Sequence, residues 1–172
     1  EVDEIALDLS YGFEAALSLR GLWMVAHQYA RLDRMEELGV NVRANTEAGL
    51  ATSVEALAKA EQARGRIWED FRALFRTYDH LLTPCMAVPP FPVEQNYPET
   101  IGGREMGTYV DWIAPTFVLS LAGLPVASVP CGLDSGGLPV GMQIVGRPRD
   151  EESVLALAGR AHDAWGVGLP GE

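Results

Sequence analysis

The chain predicts an α/β fold that is helix-rich in its first half, on three observations. Apolar side chains recur at three- and four-residue steps through most of residues 11–75. Three short segments, 80–83, 126–131 and 140–145, are instead apolar on nearly consecutive positions, the pattern of strands that want cover on both faces. The last two flank Asp134-Ser135-Gly136-Gly137, and a Leu-Pro step precedes or opens each (Leu124-Pro125, Leu138-Pro139), which is hairpin punctuation.

Taken in order, residues 11 to about 38 read as one long helix with Phe13, Ala16, Leu17, Trp23, Ala26, Ala30 and Met35 on its stripe and Gly39 as its stop. The polar stretch Asn41 to Thr46 reads as a connection. Ser53 caps a second helical region whose Leu57, Ala60, Ile67, Phe71, Leu74 and Phe75 form an apolar face, and Gly65 predicts a break inside it. Both stripes are read as core. Asp79 to Pro84 follows as a strand. The proline-rich run 84–99 is an irregular surface or interface loop, continued by Gly102-Gly103-Arg104. Tyr109 to Ser120 is a short helix begun or broken near Pro115. After the hairpin, Asp150 caps a last helix with Val154, Leu157, Ala158, Ala161 and Trp165 on one face. Three strands alone leave a sheet with unpaired edges, so further strands are expected from residues preceding Glu1, in keeping with a chain that starts without Met.

The totals bound the function. A chain of 172 residues with 48% apolar and 22% charged side chains suits a globular domain with a sizeable core. Thirteen basic against 24 acidic residues give a formal charge of −11, which repels phosphate backbones, so no nucleic-acid partner is expected of this segment. No apolar run approaches the ~20 residues that span a bilayer, so no membrane partner is expected either. Cys85 and Cys131 each follow a proline and suit reduced thiols of a cytoplasmic protein.

Residue types that carry chemistry are sparse. His27 and His162 fall on helices and read as solvated or packed; His80 precedes a strand beside Asp79. A thiol hydrolase pairing Cys85 or Cys131 with His80 has no supporting spacing. No Cys/His set has zinc spacing, and neither GxxxxGK[ST] nor GxGxxG occurs, so no metal and no cofactor are expected. The glycines of the 132–137 turn are explained by the positive φ that hairpins require.

Several stretches, in order, resemble the C-terminal part of amidase signature enzymes. The helix Ser53 to Tyr78 running into Asp79-His80-Leu81-Leu82-Thr83-Pro84 is similar to that family's helix followed by D-x-L-L-x-P. Thr116 to Gly132 resembles T-x-x-x-N-L-A-G-L-P-A-x-S-V-P-x-G, and Gly137 to Gly146 resembles G-L-P-V-G-x-Q-x-x-G, before Asp150-Glu151 opens the closing helix. The match is good over roughly residues 53–165.

The resemblance implies that residues 1–172 are the C-terminal part of a single domain, an α/β/α sandwich around a mixed sheet, with 1–79 mainly helical and 80–172 holding strands, proline-rich loop and closing helix. It implies cleavage of a small-molecule amide by a nucleophilic serine, a second serine in a cis peptide and a lysine. All three lie in the N-terminal half of the family's domain, so that half of the same protein is the implied partner. No serine here matches the Gly/Ser-rich loop, and Lys59, the sole lysine, sits mid-helix, so no catalytic residue is assigned. The segment before Leu-Ala-Gly-Leu-Pro lies beside the substrate in the family, which makes Thr116 and Leu119 the expected substrate-binding residues. Ser120 stands where the family usually has asparagine, and serine satisfies fewer hydrogen-bond valences. One alternative is an amidotransferase component that works on misacylated tRNA, and another is a non-catalytic binding module. Without its other half, the chain is expected to cover its apolar faces as a homo-oligomer.

Overall fold

The computed structural model describes residues 1–166. The chain forms two compact units, residues 1–69 and residues 70 onward.

The first unit is helical. After an extended start, in which the Ser10 hydroxyl and amide bond the Asp8 carboxylate and hold it below its ordinary pKa, come α1 (Gly12–Gln28), a 3-10 segment (Tyr29–Glu37), α2 (Val40–Leu50) and the start of α3 (Val54–Leu74). The expected single helix to residue 38 is therefore corrected. It tightens at Tyr29, and Arg34 leaves helical geometry altogether (φ −135°, ψ 40°). None of residues 29–37 is buried, so no packing enforces the regular form there.

Asn41 to Thr46, expected as a connection, is helix α2. Its polar side chains stay satisfied on the helix. Thr46 is fully buried with its hydroxyl donating to Val42 O at 2.8 Å, and Asn45 Nδ2 donates to Asn41 O at 2.7 Å while its Oδ1 accepts from Arg20 Nε.

The buried face of α1 also differs from the expected stripe. It consists of Gly12, Ala15, Ala16, Leu19 and Gly21, whereas Trp23 is 48% exposed. Small residues are needed because the two backbones touch: a Cβ built on Gly49 would lie 2.2 Å from Gly21 O, and one on Gly21 would lie 2.9 Å from Gly49 Cα.

Helix α3 begins as expected, with Ser53 Oγ accepting from Ala56 N at 3.1 Å. It runs unbroken through Gly65, contrary to the expected interruption. One helical glycine costs about 1 kcal/mol relative to alanine, and burial of Ala60, Ile67 and Phe71 outweighs that.

The second unit is built on a three-stranded antiparallel sheet. Its elements are β1 (Leu81–Pro84), the two-residue strands β2 (Thr100–Ile101) and β3 (Arg104–Glu105), α4 (Ala114–Ser120) after a 3-10 turn at Asp111–Ile113, β4 (Val126–Leu133), β5 (Pro139–Val145) and α5 (Glu151–Trp165). The strand order is β1-β5-β4, with Thr83 and Ser128 both opposite Gln143. Gly102-Gly103, expected as loop, closes the β2–β3 hairpin; both adopt positive φ (56° and 80°), which two-residue hairpin turns require. In the β4–β5 turn Asp134 Oδ1 accepts from the amides of Gly136 and Leu138, each at 2.8 Å. A bulge at Cys131 interrupts the ladder between Pro130 and Gly132.

Alternation sorts the sheet into two faces. Val129 and Ile144, flanked by Ala127 and Met142, pack against Val154 and Ala161 of α5, with Leu157 and Ala158 at the margin. Trp165, expected on that face, is 40% exposed. Asp150 holds the N-cap position of α5 but makes no side-chain cap bond. Its ψ of 47° falls short of the extended geometry that aims a capping carboxylate at the first-turn amides.

Two substitutions in the helical unit should move stability in opposite directions. Gly49→Ala forces the α1 and α2 backbones apart and is expected to cost about 1–3 kcal/mol. Gly65→Ala meets no atom within 4 Å and is expected to gain about 0.5–1 kcal/mol. Thermal unfolding of the purified protein checks both signs.

Candidate functional site

The polar centre of the second unit is Gln143, in the middle of the middle strand. Its side chain is 7% exposed, on the sheet face opposite α5. Nε2 donates to Thr83 Oγ1 and Pro84 O, both at 3.1 Å, and at 3.5 Å reaches Pro115 O in the first turn of α4. One buried amide therefore ties the end of β1 and the start of α4 to β5. Sequence reasoning did not single out this residue. The available signal was a lone amide inside the apolar run of a strand, which must find partners when buried.

Helix α4 is short because its ends are fixed by chemistry. Pro115 stands in its first turn, where a missing N–H costs nothing. At its C-terminal end Leu121 and Ala122 are buried, and Gly123 turns the chain with φ 63°. Pro125 O then accepts from Gly146 N at 3.0 Å, which sets the start of β4 against the end of β5. The Leu-Ala-Gly-Leu-Pro motif thus fixes where α4 stops and the sheet resumes.

The two expected substrate-binding residues sit on this helix in different states. Thr116 is half-buried, and its hydroxyl donates to Ile113 O at 2.8 Å. Leu119 is 7% exposed. Ser120 is exposed, and its hydroxyl donates to Thr116 O at 3.0 Å. Ahead of α4, Asp111 organises its own loop: Oδ2 accepts from the amides of Gly107 and Thr108, and Oδ1 from Thr108 Oγ1 at 2.7 Å. In the proline-rich loop, Phe91 meets Trp112 edge to face with ring centroids 5.1 Å apart.

The remaining reactive residues are engaged elsewhere. His80 Nε2 lies 2.9 Å from Ser153 Oγ, and His27 Nδ1 donates to Trp23 O at 2.7 Å. Cys85 and Cys131 are free thiols. Cys85 Sγ lies 3.0 Å from Ser128 Oγ across β5, in room left by Gly141, where a Cβ would come within 3.0 Å of the sulfur. Cys131 Sγ contacts Val140 O at 3.6 Å. Lys59 pairs with Glu55 at 2.7 Å on an exposed helix face. Arg147 Nη2 pairs with Asp79 Oδ1 at 2.8 Å and donates to Tyr78 O. Among the described residues no group of three or more His, Cys, Asp or Glu is placed to hold a metal ion.

A two-layer unit with this hairpin, clamp and Leu-Ala-Gly-Leu-Pro turn defines a recognisable class. The family model described as Amidase matches residues 18–155, and the chain belongs to that family, the amidase signature enzymes. Among curated proteins it is 41% identical over 115 residues to a glutamyl-tRNA(Gln) amidotransferase subunit of Myxococcus xanthus (strain DK1622), covering 65% of this chain and 22% of that one. Against the protein of the same name from Synechococcus sp. (strain CC9902) it is 34% identical over 162 residues, covering 92% of this chain and 31% of that one. The chain therefore spans about a fifth to a third of the length of these two relatives. Among solved structures, an amidase crystal structure is 28% identical and superposes with TM-score 0.85 over 96% of this chain and 38% of that one. A bacterial aryl acylamidase of the amidase signature family shares the fold, with TM-score 0.78 and 24% identity over 95% of this chain and 36% of that one.

The clamp and the surface ion pair should differ in weight. Gln143→Leu strips Thr83 and Pro84 of a buried donor and is expected to destabilise by about 1–3 kcal/mol. Asp79→Asn removes an exposed pair and should cost less than about 1 kcal/mol. Urea denaturation of the two variants separates them.

Proposed function

We propose that this chain forms one wall of the acyl pocket of an amidase, an enzyme that hydrolyses the C–N bond of a small-molecule carboxylic amide. Family membership carries the reading, and the α4 segment supplies its structural content: Thr116 and Leu119 stand in the stretch that leads into Leu-Ala-Gly-Leu-Pro. Thr116, half-buried with its hydroxyl proton given to Ile113 O, suits direct contact with the acyl group through the oxygen's lone pairs. Leu119, nearly buried, would act by shaping the floor beneath it.

The chemistry belongs to residues outside these 172. A serine Oγ attacks the amide carbonyl carbon, the C–N bond breaks as the amine takes up the serine's proton through the second serine and the lysine, and water then hydrolyses the acyl-serine ester. Backbone N–H groups stabilise the oxyanion in each step. The half of the protein that carries the nucleophile is the proposed partner. Strands β1 and β4 support this, since each has a strand neighbour on one side only among the described residues. The whole is proposed to work in the cytoplasm, as a single domain of which residues 1–172 are the C-terminal part.

A second reading follows from the relatives' names: one subunit of an amidotransferase that amidates glutamyl-tRNA(Gln). The formal charge of −11 would then leave the contact with tRNA to other subunits. Co-purifying partner subunits would favour this reading over the free hydrolase.

The test compares the 172-residue chain with the complete gene product that carries it, against a panel of primary and aryl amides. Amide release by the complete protein, and none by the isolated chain, is expected. Turnover by the isolated chain, or by neither, would overturn the proposal. If the isolated chain is folded, sedimentation is expected to show a dimer or larger, because its unpaired strand edges and apolar surface need cover.

A further inference from the structure

Two hydroxyls four residues apart, Thr116 and Ser120, lie along one side of α4, and both have their protons committed to backbone carbonyls. Thr116 Oγ1 donates to Ile113 O at 2.8 Å, and Ser120 Oγ donates to Thr116 O at 3.0 Å. A hydroxyl carries one proton and two lone pairs. Each oxygen therefore meets a ligand as an acceptor, and turning either proton outward takes a hydrogen bond away from the backbone.

The charge of the segment points the same way. From residue 106 to residue 133 the sole charged side chain is Asp111, a carboxylate that already accepts three hydrogen bonds within its own loop. This stretch brings lone pairs and one negative charge to the pocket wall, and no cation.

We infer that the Thr116–Ser120 pair makes α4 a specificity element for acyl groups that end in a hydrogen-bond donor, an ammonium above all, and against acyl groups that end in a carboxylate. The inference rests on the reading of α4 as an acyl-pocket wall. A donor-bearing acyl group finds two oriented acceptors. A carboxylate meets lone pairs facing lone pairs, with no counter-charge from this segment to offset its desolvation.

The experiment measures kcat/KM of the complete protein on primary amides of matched chain length that end in either an ammonium or a carboxylate. The ammonium series is expected to be favoured by about tenfold or more, the effect of one to two gained hydrogen bonds. In the double variant T116V/S120A the preference should shrink by about fivefold or more, mainly through KM, because the contact is made equally in ground and transition states. T116S, which keeps the acceptor, should retain it. The single variants T116V and S120A are read in the same way if the double variant does not fold. Equal turnover of the two series by the unmodified protein, or a preference unmoved by loss of the hydroxyls, would overturn the inference and leave the amidase reading standing. Hydrolysis of no amide at all would remove that reading, and the inference with it.

Discussion

The second unit depends on the register of β5. Among the described residues it is the one strand of its sheet with a hydrogen-bonded neighbour on each side, so its residues decide what both faces can hold. Ile144 and Met142 point to α5, and Gln143 points away from it toward Thr83, Pro84 and Pro115. A slip of one residue would bury the amide of Gln143 against Val154 and turn Ile144 outward, because side chains alternate along a strand. An unpaired amide in that apolar cluster would be costly, and so would the loss of a fully buried isoleucine. The hairpin turn reinforces the same register, with Asp134 Oδ1 holding two amides of the turn. Two independent devices thus fix the strand that orients α4.

This arrangement was legible in the sequence to the extent that local chemistry decided it. The strands expected at 80–83, 126–131 and 140–145 stand at 81–84, 126–133 and 139–145, within two residues at each end. The turn between the last two, the Ser53 cap and the helix start near Pro115 were also readable, because apolar runs, turn residues and caps act over a few positions. The Gly21–Gly49 contact was not. Nothing in either neighbourhood tells that two glycines 28 residues apart allow two backbones to meet. Asn41 to Thr46 misled for a related reason: its polarity suggested a loop, yet Thr46 and Asn45 bond the carbonyls of their own helix, and Arg20 supplies the remaining donor. Gly65 misled in the opposite sense, since the length and burial of α3 outweigh one glycine.

For the candidate site, the motif Leu-Ala-Gly-Leu-Pro located α4, and the resemblance nominated Thr116 and Leu119. The direction of each hydroxyl bond came only from the three-dimensional arrangement. On the proposed reading it is that direction that would give α4 its acceptor character; the asparagine that the resemblance implies at position 120 would offer donors as well. Lys59, the sole lysine, is engaged with Glu55 on a helix face. On the proposed reading, chemistry and selectivity are divided between stretches of sequence, one carrying the nucleophile and one grading the acyl group.

The most direct test of that division is photoaffinity mapping on the complete protein, using an amide whose acyl chain carries a diazirine. Adducts are expected within residues 114–120, suppressed by an excess of a hydrolysed amide. Adducts confined to other parts of the protein, under conditions where the probe is turned over, would contradict the division.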